Sequence, residues 1–126
     1  MSEGIRFLFG VHNHQPAGNF DSVILDAARS AYHPFLEAAR AVPGVVLTVH
    51  CSGGLLAFLR ERARPTFDLL GQLAADRRVE LLTGGFYEPI LSMLPDADKV
   101  GQIQALSEFL RANFGVKPRG MWLAER

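Results

Sequence analysis

Four short apolar runs, spaced about 35 to 40 residues apart, restrict this chain to one kind of architecture. They are IRFLFGV at 5–11, VVLTVH at 45–50, VELLT at 79–83 and RGMWLAE at 119–125. Each is rich in branched or aromatic side chains and bounded by glycine, proline or polar residues, as a buried strand is. Helix-like segments with apolar residues at three and four spacing separate them. Nearly continuous apolar strands alternating with helices form a parallel sheet covered by helices, so the expected class is α/β with parallel β/α repeats. A complete eight-unit barrel takes roughly 250 residues, which makes this chain about half of one. An open doubly wound sheet is the alternative.

The helices carry their own punctuation. In SVILDAARSAYHPFLEAARAV, Ile24, Ala27, Ala28 and Ala31 share a face before Pro34, where a second short helix is expected to begin, and Pro43-Gly44 stops it. Ser52 is placed to cap a helix bearing Leu55, Leu56 and Leu59. Pro65 stands at the first turn of the next, which carries Phe67, Leu70 and Leu73. The longest helix spans 97–113, with Val100, Ile103, Leu106 and Leu110 as its stripe and Gly115 as its left-handed stop.

Composition narrows the class of partner. The 126 residues, 48% of them hydrophobic, suffice for one core, so a single domain or part of one is expected over 1–126. Thirteen basic residues balance thirteen acidic ones, which leaves no field to attract nucleic acid or an anionic membrane. No apolar segment approaches the roughly 20 residues that span a bilayer. Cys51 is the only cysteine, so no intrachain disulfide forms, and a reducing, cytoplasmic location is expected. A neutral polar ligand fits this balance.

The polar residues gather at strand ends. His12 and His14 close the first strand, His50 the second, Gly84-Gly85 and Glu88 the third, and Glu125 the fourth. Carboxyl ends are where parallel α/β proteins place their chemistry. His12 and His14, two residues apart, point to one side of an extended chain and can bind a substrate; with His50 or Glu125 they can bind a metal. Glu80, inside an apolar strand, must face water or find partners. In GGFYEPIL, Phe86 and Tyr87 offer flat faces beside Glu88, as a sugar ring requires. Glu125 follows MWLA and neighbours Trp122 and Arg126, an environment that partly desolvates a carboxylate while keeping it ionised, as a nucleophile needs. Cys51 reads as a small core or strand-end residue, and no phosphate loop or nucleophile elbow is present.

HNHQPAGNF, VELLTGGFYEPIL and GMWLAER, in that order, resemble the N-terminal half of the catalytic domain of glycoside hydrolase family 57, and GGFYEPIL most resembles its amylase and 4-α-glucanotransferase branch. The resemblance implies an incomplete barrel of seven β/α units and a retaining mechanism on α-glucans or maltooligosaccharides. It matches Glu125 to the nucleophile, and His14 and Glu80 to positions lining the donor-sugar subsite, with His12 and Trp122 as companions; Tyr87 and Glu88 are the further substrate-binding candidates from the residues themselves. It implies no metal and no cofactor. The family's acid/base is an aspartate on a later strand, which no residue here matches, so the rest of the barrel is expected from a longer chain and these 126 residues alone are expected to be inactive. A metal-dependent deacetylase using His12, His14 and His50, or a non-catalytic sugar-binding piece, are the alternatives.

Overall fold

In a computed structural model of the chain, residues 4–125 are described. Strands β1 (Gly10–Asn13), β2 (Leu47–Cys51) and β3 (Val79–Leu81) form a parallel sheet in that order. Helices α1 (Asp21–Ala27) and α2 (His33–Ala41) connect β1 to β2, and α3 (Gly53–Arg62) and α4 (Arg64–Ala75) connect β2 to β3; α5 (Asp96–Phe114) follows β3. Val11, Val49 and Leu81 stand in register on the face turned to the helices, where Val49 and Leu81 join Leu55, Leu70, Leu73, Leu106 and Leu110 in the core. Alternation then puts His12 and His50, also in register, on the opposite face.

The first strand starts later than the apolar run does. Ile5, Phe7 and Leu8 are 98%, 82% and 93% exposed, and pairing begins where the Thr48 amide donates to the Phe9 carbonyl at 3.0 Å. A parallel ladder needs a facing strand, and Phe7 and Leu8 fall opposite Val45 and Val46, which leave the positive-φ turn at Gly44 and are not yet in β2. The ladder instead runs on into His12 and Asn13, so the first histidine sits on the strand itself. The expected fourth strand is reduced to one parallel bridge, Thr83 to Met121, held by Thr83 N–H to the Gly120 carbonyl at 3.0 Å and Trp122 N–H to the Thr83 carbonyl at 2.8 Å.

Three helix expectations also change in detail. Pro34 does not interrupt the chain: a π-helical turn at Ala28–Tyr32 carries α1 into α2, with the proline in the first turn of α2. The wider spacing absorbs the missing N–H and the ring's crowding of the preceding turn. Ser52 occupies the N-cap of α3 but its hydroxyl makes no cap bond; the Phe86 carbonyl accepts from the Gly53 and Gly54 amides at 2.7 and 3.3 Å instead. Val100 is 52% exposed, so the stripe of α5 buries through Leu106 and Leu110. Pro65 and Gly115 take the positions read for them, Gly115 at φ +67°. Cys51 is buried at the end of β2, and burial pushes its thiol up to about 11. No helix of the described residues is long and apolar enough to cross a membrane.

Candidate functional site

The carboxyl ends of β1 and β2, the loop after β3 and the segment after Met121 meet in one cluster. Extended backbone from His12 to His14 turns both rings to the same side, nearly parallel at 9° with centroids 6.2 Å apart. His12 Nδ1 lies 2.8 Å from His50 Nδ1, and His12 Nε2 lies 2.8 Å from Glu88 Oε1. The other Glu88 oxygen is 2.5 Å from His14 Nδ1, at an angle outside directed hydrogen bonding, so it has no well-aligned donor. Trp122 covers His12, ring on ring, at 4.4 Å and 8°.

Local backbone explains how Glu88 reaches two histidines. Its amide donates to the Gly85 carbonyl at 3.0 Å, closing a turn in which Glu88 itself holds φ +57°. A non-glycine residue is strained in that region, and such strain persists where surrounding contacts over-determine it. Tyr87 is fixed by its amide donating to Gln102 Oε1 at 3.0 Å, and its ring is 62% exposed. Phe86 packs against the core instead. Gly84 permits the close approach: a Cβ there would stand 2.9 Å from the Trp122 carbonyl and 3.0 Å from His50 Nε2, so a side chain would force the fourth segment away from β3.

Beside His14 a cavity of about 300 Å³ is lined by Gln15, Asn19, Ser52, Phe58 and Tyr87 among others. Its polar wall is tied together, with Asn19 Nδ2 donating to Gln15 Oε1 at 2.8 Å and Gln15 Nε2 donating to the Tyr32 hydroxyl at 2.9 Å. Asp21 also lines the cavity, so a carboxylate stands beside these neutral groups.

Burial lowers the proton affinity of His12 and His50. His50, 1% exposed, is brought down to about 4 by loss of solvent, with His12 and His14 adding to the shift. His12 is lowered by burial against the opposing pull of Glu88. The unfolded chain takes up a proton on residue 50 near 6.5 and the folded one near 4, so stability falls as pH drops through that window. The loss from this group is up to roughly 3 kcal/mol, and it levels off below the window. Urea unfolding at pH 7 and pH 4 is expected to show this loss in the wild type and a smaller one in His50→Asn.

Donor atoms of His12, His50 and Glu88 lie within 4.8 Å of one another, near enough for the three to converge on a cation. If both histidines used Nδ1 they would have to open their 2.8 Å contact, because nitrogens held about 2.0–2.1 Å from a tetrahedral ion stand roughly 3.3 Å apart. The arrangement as it stands is a hydrogen-bonded one.

Of the residues singled out in the sequence, His12, His14, Glu88 and Trp122 come together, and Tyr87 lies beside His14 on the cavity wall. Glu80 does not join them. It stands in register with Thr48, one row below His50 on the same face, with its carboxylate 48% exposed and 3.9 Å from Arg119. Glu125 is exposed, holds φ +51°, and among the described residues has no hydrogen-bond or ion-pair partner; Arg126 lies outside the described residues. The sequence reading gave His50 only a metal-ligand role, whereas the close approach that the paired glycines of GGFYEPIL permit is realised at Gly84. The shared parity of His12 and His50 at two strand ends was the available signal.

Imidazoles, a carboxylate and an indole thus gather at the carboxyl edge of a parallel α/β sheet, where such sheets place their sites. The model of glycosyl hydrolase family 57 matches residues 8–126, and the chain belongs to that family. It is 44% identical over 126 residues to an α-amylase of Dictyoglomus thermophilum, and 43% identical over 124 residues to a 4-α-glucanotransferase of Thermococcus kodakarensis. These alignments cover 100% and 98% of this chain but only 18% and 19% of the relatives, so the chain spans about a fifth of their length. The crystal structure of a 4-α-glucanotransferase from Thermococcus litoralis superposes with a TM-score of 0.91 at 39% identity, covering 95% of this chain and 19% of that one.

Proposed function

We propose that this chain is the nucleophile-bearing part of a retaining enzyme that cleaves α-1,4-glucosidic bonds, as a hydrolase or as a 4-α-glucanotransferase. The observation that carries the reading is the Glu88–His12–His14 cluster under Trp122, built at the carboxyl edge of the sheet directly before the segment that bears Glu125. Its family membership and its likeness to glucan-acting relatives support the same reading. In this account the three strands and the Thr83–Met121 bridge are the first part of an incomplete (β/α)7 barrel, and the exposed apolar run at Ile5, Phe7 and Leu8 is covered by its remainder.

The chemistry follows from what each group can offer. Glu125 attacks the anomeric carbon and forms a covalent glycosyl-enzyme, while a second carboxyl group roughly 5 to 5.5 Å away protonates the leaving oxygen and then deprotonates the incoming hydroxyl. That second group is an aspartate supplied by a later strand; a chain confined to these 126 residues lacks leaving-group protonation and turns over little or no substrate. His14 and Glu88 orient hydroxyls of the donor sugar, with His12 and Trp122 behind them, and Tyr87 supplies a stacking face. No metal or cofactor takes part, and the cytoplasm is the proposed setting.

The test is stereochemical. The full coding length of the gene, incubated with maltoheptaose, is expected to give shorter or rearranged α-glucans whose new reducing ends first appear in the α configuration by proton NMR. Initial appearance of the β anomer, or no change in chain length, would overturn the reading.

A further inference from the structure

His50 is the one member of the cluster that cannot touch a ligand readily, since it is 1% exposed, yet it makes a direct 2.8 Å contact with His12. The positions of the hydrogens follow from the contacts. Glu88 faces His12 Nε2 at 2.8 Å and His14 Nδ1 at 2.5 Å. A bare ring nitrogen 2.8 Å from a carboxylate oxygen would set lone pair against lone pair, whereas a ring N–H there faces an acceptor. His12 therefore carries its hydrogen on Nε2. A neutral imidazole then has a lone pair on Nδ1, and the hydrogen in the 2.8 Å contact must come from His50 Nδ1. The remaining nitrogen, His50 Nε2, is left as a lone pair, buried beside Gly84 with no partner among the described residues.

That assignment has an electrostatic consequence. A carboxylate at Glu88 beside a neutral His12 leaves that pair negative; a proton on His12 would cancel the charge. A glycosyl centre becomes positive on the way to its oxocarbenium-like transition state, so the array helps only while that charge is uncancelled. We propose that His50 is a positioning residue which, by donating its Nδ1 hydrogen to His12, holds His12 as the neutral Nε2–H tautomer and keeps the Glu88 array negative toward a substrate centre that gains positive charge. This deepens the glucan-cleaving reading and rests on it for the substrate, while the proton arrangement can be read without any substrate.

Titratable groups reach His12 from each side: His14 from its own chain, His50 from β2 and Glu88 from the loop after β3. The fourth segment presents the uncharged Trp122 ring. Removing the donor at residue 50 removes a hydrogen bond that exists only with neutral His12. The acid limb of kcat/KM, set by protonation of His12 as pH falls, is then expected to move to higher pH.

The experiment uses the full coding length, uniformly labelled with nitrogen-15. In the wild type, imidazole correlations at neutral pH are expected to show His12 as the Nε2–H tautomer and His50 as the Nδ1–H tautomer. His50→Asn keeps a donor near the Nδ1 position. It is expected to preserve the His12 tautomer and remain within about threefold of wild-type kcat/KM. His50→Phe keeps bulk without a donor; it is expected to lose the single tautomer, to shift the acid limb upward, and to drop kcat/KM roughly 10- to 100-fold, the usual worth of a hydrogen bond to a charged group. A packing role would reverse the order of the two variants and overturn the proposal. An Nδ1–H tautomer at His12 in the wild type would overturn it too, even if neither variant folds. Correct tautomers in a protein that cleaves no glucan would separate failure of the function from failure of the proton arrangement.

Discussion

Glu125→Gln, made in the full coding length, is expected to lower kcat on maltooligosaccharides by on the order of 10⁴-fold or more while leaving their affinity within a few-fold of wild type. The amide is nearly the same size as the carboxylate but cannot form the glycosyl ester, so the first displacement fails outright rather than slowing by a lost contact. Affinity survives because the groups placed to hold the sugar lie elsewhere, on His14, Glu88 and Tyr87, and Glu125 itself has no partner among the described residues. Steady-state kinetics paired with calorimetric titration of maltoheptaose measures both halves of this expectation. Turnover near the wild-type rate would remove Glu125 from the chemistry.

Glu88→Gln is expected to act on a different pair of observables. The Glu88 side chain is 6% exposed and meets two imidazoles, so an amide there keeps the shape but points an NH₂ group at a ring nitrogen that already carries hydrogen. Breaking one side of a buried charged contact costs about 3–5 kcal/mol, and the value here falls toward about 2–3 kcal/mol because His14 stays 35% exposed to water. Urea unfolding is expected to show that loss. Maltoheptaose affinity is expected to fall roughly 10- to 100-fold, since the imidazoles lose their fixed hydrogens and the substrate loses its orienting carboxylate. An unchanged stability together with unchanged affinity would mean that the cluster neither braces the loop nor meets the sugar.

How much of this was legible in the sequence depends on whether a feature is local. Pro65 in the first turn of α4 and Gly115 at the end of α5 act through their own backbone torsions, and both stand where they were read. The parity of His12 and His14 is a property of extended chain, and the rings do share a side. Features set by a partner across the fold were not legible. The start of β1 is decided by where β2 can face it, so Ile5, Phe7 and Leu8 stay outside the sheet despite their composition. Ser52 loses its capping role to the Phe86 carbonyl, which a loop some thirty residues later brings to α3. Val100 follows the helical stripe in sequence but runs past the edge of the core.

The site divides along the same line. Glu88 was visible as a carboxylate beside aromatic faces, but its contact with both histidines depends on a turn with φ +57° that no residue type announces. His50 acquires its importance from register with His12 and from the closeness that Gly84 allows to the fourth segment. Glu80, read in sequence as a carboxylate inside an apolar strand that must face water or find partners, is half-exposed and lies with Arg119.

The central claim is that Glu125 is the group that becomes glycosylated. The most direct measurement incubates the full-length protein with a fluorinated maltosyl fluoride that forms the glycosyl-enzyme quickly and releases it slowly, then maps the added mass by peptide mass spectrometry. The account predicts one glycosyl adduct, on the peptide that contains Glu125, and none in Glu125→Gln. An adduct on Glu88 or Glu80, or full inactivation with no covalent adduct anywhere in the chain, would contradict it.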